Sequence, residues 1–156
     1  MSAEPAALPS RLPIVIMISG IPAPQGSKRH VGGGRMVEAS KAVGPWREAV
    51  RAETQRSMGT SEPLAGPVHV NLMFWLKRPA NHFGTGRNAG MIKDSAPLFP
   101  AVLPDLDKLV RSSLDGIVAG GAIGDDRQVC TLSASKWYAF SGRPPGCRIV
   151  IAEEGA

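Results

Sequence analysis

The run PDLDKLVRSSLDGIVAGGAIGDDRQV, residues 104–129, decides how the rest of the chain is read. Five of the protein's six aspartates fall in it: Asp105, Asp107, Asp115, Asp125 and Asp126. Pro104 biases Leu103 to an extended conformation, and Asp105 has the chemistry of a helix N-cap. Leu106, Leu109, Val110, Leu114 and Ile117 then recur at helical spacing, which predicts a helix with one apolar face that ends at Gly120 and Gly121. Asp107, Arg111 and Asp115 follow at steps of four and form a polar edge beside that face. Gly124 predicts a turn, which places Asp125 and Asp126 at the mouth of a strand beginning near Gln128.

Carboxylates in the first turn of a helix are favoured in their ionised form by the helix dipole. As hard oxygen ligands they suit Mg²⁺, which takes a few carboxylates and keeps waters for substrate. Asp105 and Asp107 are therefore candidate metal ligands, and Asp126 is placed to close the site from the adjacent strand. A bound metal activates water and neutralises phosphate charge. Arg111, one turn after Asp107, is a candidate for stabilising the charge that develops. Taken singly, each aspartate also fits a plain structural duty: Asp105 as a cap, Asp107 as an answer to the dipole, Asp125 and Asp126 as turn residues.

The acidic run sits in a basic chain. Over 156 residues there are 18 Lys and Arg against 13 Asp and Glu, a net charge of +5 and a pI of about 9.7. That balance favours an anionic partner, nucleic acid ahead of an acidic membrane surface. The length suits one domain that needs no covalent staples. No apolar run approaches a membrane span, and the opening MSAEPAALPSRLP lacks the apolar core of a signal peptide, so the expected location is the cytoplasm. Cys130 and Cys147 have no CxxC spacing and no paired histidines, which excludes a zinc site of that type. Both are expected to be reduced, buried and small apolar in role.

The remaining elements are read in order. Residues 1–12 are expected to be a flexible tail. Residues 13–19 read as a first strand. Residues 21–35 form a basic, glycine-rich hairpin carrying Lys28, Arg29 and Arg35; its spacing excludes a phosphate-binding loop of the Walker type. Such a hairpin fits against a phosphate backbone, and equally fits plain solvent exposure. Pro45 predicts the start of a helix to about residue 58. Residues 67–76 alternate, with Val68, Val70, Leu72, Phe74 and Leu76 on one side. Residues 77–103 are irregular and carry Lys77, Arg78, Arg87 and Lys93 with Phe83 and Phe99. They read as a DNA-contacting loop that orders on binding, a phenylalanine either stacking on bases or tucked inward. Residues 128–138 form a third strand with Cys130, Leu132 and Ala134 inward, residues 148–152 a fourth, and residues 153–156 a tail. The fold expected across residues 13–152 is a single α/β domain, a small mixed β-sheet of about four strands covered by two helices. Its free sheet edges make dimerisation plausible.

The acidic run also resembles a family. D-x-D opening a helix, a basic residue four positions on, L-D-G another turn later, and D-D-x-Q-V leading a strand are similar to the RusA-type Holliday-junction resolvases. Here those residues are Asp105, Asp107, Arg111, Leu114-Asp115-Gly116 and Asp125-Asp126-Arg127-Gln128-Val129. Residues 18–30, ISGIPAPQGSKRH, are similar to that family's G-x-P-x-x-K-x-R opening, and the resemblance runs over about residues 15–137. It implies an Mg²⁺-dependent endonuclease that acts as a homodimer on four-way DNA junctions in recombination and repair, cutting by paired nicks. Asp105, Asp107 and Asp126 match the family's catalytic carboxylates, and Arg111 its catalytic basic position. Lys28, Arg29, Arg35, Lys77, Arg78, Arg87, Lys93 and Lys108 are expected to contact DNA. Two positions depart from the pattern. Lys108 stands where the family often has Asn, and Arg111 where it often has Lys, which keeps the charge but changes its shape and reach. The rival readings are a metal-dependent nuclease for other DNA structures, a non-catalytic branched-DNA-binding protein, and a small-molecule phosphohydrolase. The positive charge outside the acidic run argues against the last.

Overall fold

The computed structural model describes residues 10–26, 28–30, 32–33, 36–38 and 41–155. Its elements are β1 (Ile14–Ser19), β2 (Lys28–His30), β3 (Met36–Glu38), α1 (Val43–Met58), β4 (Val68–Leu76), α2 (Leu106–Ala119), β5 (Val129–Tyr138) and β6 (Gly146–Glu153). Strand β4 organises the sheet. Val68, Val70, Leu72, Phe74 and Leu76 are all buried, as the alternation predicts. It pairs antiparallel with β6 and parallel with β5, and β1 joins the far side of β6, giving the order β1-β6-β4-β5. Residues in register form rows across one face: Ile16, Ile149, Leu72 and Ala134 in one, Ile14, Ile151, Val70 and Leu132 in the next. Both helices cover that face, where Trp46, Val50, Leu109 and Ile117 complete the core. The fold is thus the expected α/β domain, a four-stranded mixed sheet with two helices. β2 and β3 form a separate antiparallel ribbon within the basic hairpin.

The two helices approach closely because α2 carries glycines four apart. A Cβ on Gly116 would lie 2.7 Å from Val50 Cβ, and one on Gly120 would lie 2.5 Å from Thr54 Cβ. Gly120 is right-handed with φ −79°, and Gly121, with φ 85°, ends the helix. The pair expected to stop the helix thus divides its work between close approach and termination. α1 begins two residues before Pro45, whose missing N–H falls in the first turn, where no helical acceptor exists.

The helical layer stops short of β5. Leu132 lies on the helix-facing side of its row but is 49% exposed, because α2 leaves a gap over the strand. Cys130 falls at a register irregularity opposite Val68 and His69 and is exposed. The expectation that Cys130 and Leu132 point into the core is therefore corrected: an edge strand has one neighbour and only a partial roof. Cys147, on β6, is fully buried as expected, and that burial pushes its thiol well above the ordinary range.

Residues 77–103 carry local structure of their own. Single 3₁₀ turns span Ala80–His82 and Gly86–Asn88. Between and beyond them Gly84 N–H donates to Met91 O and Lys93 N–H to His82 O, both at 2.9 Å. Arg78 staples the segment. Its Nε donates to Ala139 O at 3.0 Å and its Nη1 to Pro97 O at 2.9 Å, and its guanidinium lies over the Tyr138 ring. The segment thus has internal structure held by its own bonds. Of the expected N-terminal tail, residues 1–9 lie outside the described residues. Ser10 donates to the Glu153 carboxylate and Arg11 to Glu62 O, so this part is tied down, and β6 itself reaches Glu153.

Candidate active site

Asp105 occupies the N-cap of α2 with extended backbone (φ −66°, ψ 136°), and its carbonyl accepts from Leu109 N–H. Its carboxylate makes no capping bond. It faces outward, where Lys108 Nζ stands 3.2 Å away. Asp107 lies in the first turn and Arg111 one turn later, both exposed. Among the described residues neither has a hydrogen-bond or ion-pair partner. They stand at the rim of a groove of about 640 Å³ between α2 and β5, whose walls are Leu106, Val110, Leu114, Leu132 and Ala134. This groove is the gap that the incomplete roof leaves.

Two further contacts fix this end of α2. Lys136, next after Leu132 and Ala134 on the same face of β5, sends its ammonium to Val102 O at 2.6 Å and Pro104 O at 2.9 Å. It anchors the backbone just before Asp105. Sequence reasoning missed Lys136, although a charge following two apolar residues on the helix-facing side of a strand was a usable signal. Across the helix, Ser112 Oγ donates to Ala23 O at 2.6 Å and Gln25 N–H to Lys108 O at 3.0 Å. The two stretches that matched the family pattern, more than eighty residues apart, are thus brought side by side. β2, with Lys28 and Arg29, begins three residues beyond Gln25. Lys28 and Arg29 are described by their backbone alone, and Arg35 lies outside the described residues.

Asp126 belongs to the other end of α2. Asp125 caps the 3₁₀ turn Asp126–Gln128, accepting from Arg127 N–H at 2.8 Å and Arg127 Nε at 2.9 Å. The Arg127 backbone N–H, then its guanidinium, hold the Asp125 carboxyl below the usual carboxylate range. Asp126 opens the turn and is exposed. Because α2 has 14 residues it is about 21 Å long, and Asp126 follows its C-terminus while Asp105 precedes its N-terminus. Among the described residues, no group of three or more His, Cys, Asp and Glu could hold a metal ion. One chain therefore brings Asp105, Asp107 and Arg111 together and leaves Asp126 apart. The pair Asp105 and Asp107 fits a divalent cation that keeps several waters, since such an ion needs one or two carboxylates. Asp115, on the same helical edge, pairs with Arg47 of α1 at 3.4 Å and ties the helices together.

The basic residues of the long connection divide. Lys77, Arg87 and Lys93 are exposed and free to meet phosphate. Arg78 is 5% exposed with its guanidinium on carbonyl oxygens, so it leaves the set proposed to contact DNA and is a structural staple. Phe99 packs at a tilt on Trp137, ring centroids 4.3 Å apart, and is itself exposed. Phe83 is half-buried and bridges to Ile92 within the connection. Among the described residues no helix is long and apolar enough to cross a membrane.

No curated protein matches the chain. Among protein families, the one described as Endodeoxyribonuclease RusA matches residues 19–152. The match runs from the end of β1 into β6 and takes in the D-x-D turn, Arg111, the D-D-x-Q-V turn and the Gly-Pro stretch that packs on α2. With most of its 156 residues covered, the chain belongs to the RusA endodeoxyribonucleases, a family of Holliday-junction nucleases.

Proposed function

We propose that the protein resolves four-way DNA junctions by paired symmetric nicks, working as a homodimer with Mg²⁺ held by Asp105, Asp107 and Asp126. The observation that carries this reading is the pair Asp107 and Arg111, one turn apart at the groove rim, neither side chain bonded to another among the described residues. A carboxylate and a guanidinium at that spacing ordinarily pair. Left unpaired beside Asp105, they offer one group to a cation and one to a phosphate. A divalent cation held there supplies charge neutralisation at the scissile phosphate and lowers the pKa of a water. Asp105 and Asp107 orient it from the helix start. Arg111 positions the phosphate and answers the charge that grows in the transition state. Lys77, Arg87 and Lys93, with Lys28, Arg29 and Arg35 of the hairpin, hold the arms through their phosphates. Lys108, 3.2 Å from Asp105 at the same helix start, is a further cation for the DNA phosphates.

The separation of Asp126 from Asp105 and Asp107 bears on the dimer. A twofold axis across the middle of α2 sets the first turn of one helix beside the last turn of its partner's. It then completes two equal sites, each with Asp105 and Asp107 from one protomer and Asp126 from the other. The half-covered groove along α2 and β5 is the surface suited to this pairing. Two sites related by a twofold axis meet two symmetric phosphates of a junction.

The test uses a labelled four-way junction and a matched linear duplex, each with and without Mg²⁺. Symmetric nicks confined to the junction with Mg²⁺ are expected. Equal cutting of both substrates overturns junction selectivity, and binding without cutting under any divalent cation overturns the nuclease reading in favour of a branched-DNA-binding protein.

A further inference from the structure

Gln128 is the most heavily bonded side chain near the acidic residues. Its Oε1 accepts from Gly124 N–H at 2.8 Å and Asp125 N–H at 3.2 Å. Its Nε2 donates to Leu64 O at 2.7 Å and Gly66 O at 3.0 Å. A primary amide alone among side chains offers two acceptor lone pairs and two donors on one flat group, and all four are used here. The frame it bonds to is rigid. Leu64 and Ile123 are buried and bridge to each other, and Leu64 N–H donates to Ala122 O at 2.9 Å. The turn it bonds from is exposed and has no apolar anchor of its own, for Asp126 and Arg127 both face solvent. Apolar burial therefore fixes the chain as far as Ile123, and the amide carries that order across Gly124 to the carboxylate-bearing turn. Asp125 and Gln128 close the turn reciprocally, and Asp126 takes no part in the capping.

We propose that Gln128 is a positioning residue that holds Asp126 in place for a divalent cation. The inference rests on Asp126 being a ligand, as in the proposed function. Partners that orient a ligand typically affect metal affinity by about 10- to 100-fold when removed. Removing Gln128 frees two backbone N–H groups and lets the turn sample conformations in which Asp126 points elsewhere. Binding must then select the competent one, and affinity falls by the fraction in which it is populated.

Full-length Gln128→Ala and Gln128→Met, the second keeping the length and packing of the side chain, are to be compared with wild type and Asp126→Asn. The readouts are Mn²⁺ binding by electron paramagnetic resonance, the Mg²⁺ concentration that half-saturates junction cleavage, and thermal melting. Both Gln128 variants should bind Mn²⁺ about 10- to 100-fold more weakly and shift the Mg²⁺ midpoint upward by the same factor. At saturating Mg²⁺ the cleavage rate should return to within a few-fold of wild type. A folded Gln128→Met protein with wild-type Mn²⁺ affinity overturns the inference, provided Asp126→Asn has lost it. Should Asp126→Asn itself bind Mn²⁺ normally, the ligand assignment fails and Gln128 loses its role with it. Loss of a cooperative melt in both Gln128 variants also overturns the inference, since the amide would then be a requirement of the fold.

Discussion

Arg111 is four residues from Asp107 and does not pair with it. At that spacing a surface pair is worth only about 0.3–0.5 kcal/mol, so a phosphate and a cation separate the two at little cost. Arg111→Ala should then melt within about two degrees of wild type, as expected for a surface change within about 0.5 kcal/mol. It should cleave a junction roughly 10²–10³ times more slowly in single-turnover assays, the loss typical of one preorganised donor. Arg111→Lys should keep part of the activity, because charge remains and the planar fork is lost. A normal rate for Arg111→Ala would remove the residue from the chemistry. Asp107 and Arg111 were legible in the sequence because helical spacing alone puts them on one edge. The partners of Lys136 and the bonding of Gln128 were not. Each depends on which strand end meets which loop, and that is settled only when β5 docks against β4. The staple made by Arg78 was hidden for the same reason: a charge in an irregular stretch gives no sign that the carbonyl of Ala139, beyond β5, and that of Pro97, in its own stretch, will enclose it.

At the scale of the element, the contact between α1 and α2 depends on bare backbone. A methyl on Gly116 meets Val50 Cβ at 2.7 Å and Arg47 O at 3.0 Å, neither of which is the free end of a flexible chain. Gly116→Ala should lose about 1–3 kcal/mol to overpacking, more than the gain of up to about 1 kcal/mol in helix propensity. Gly44 in the first turn of α1 provides the control, since nothing lies within 4 Å of a methyl there. Gly44→Ala should be neutral or slightly stabilising. Equal melting temperatures for the two variants would contradict the close approach. α2, β4 and β5 were legible from their periodicities, α1 from Pro45, and β1 and β6 as short runs, with boundaries moved by a residue or two. The glycine pair was legible as a helix stop. Its other duty was hidden, because a glycine needed for contact and one needed for a left-handed turn are the same letter.

For the whole molecule, the division of the acidic residues between the ends of α2 gives a mixing test. Asp107→Asn and Asp126→Asn homodimers should each be inactive while still binding a junction, since a carboxamide is a poor ligand for a hard cation. If sites are shared across a dimer, a mixed dimer has one site with both lesions and one with neither. Co-refolded mixtures should therefore recover single nicks, up to about half of the dimers being mixed by random assortment. If each chain carried its own complete site, every mixed dimer would have two damaged sites and recover nothing. Linear duplex affinity, carried by phosphate contacts, should be unaffected by mixing and should fall steeply with salt.

The position of β6 has a consequence for how the chain is made. It lies between β1 and β4, yet it follows every other described strand in sequence, so Ile14 finds its partner Ile151 only after α1, β4, α2 and β5 have been made. Pairings this distant along the chain close slowly, because loop entropy is lost before contact is gained. During synthesis β1 waits with both of its edges bare, and β4 lacks its antiparallel neighbour. On a ribosome the sheet cannot close until Glu153 has cleared the exit tunnel, so the core forms late and not progressively.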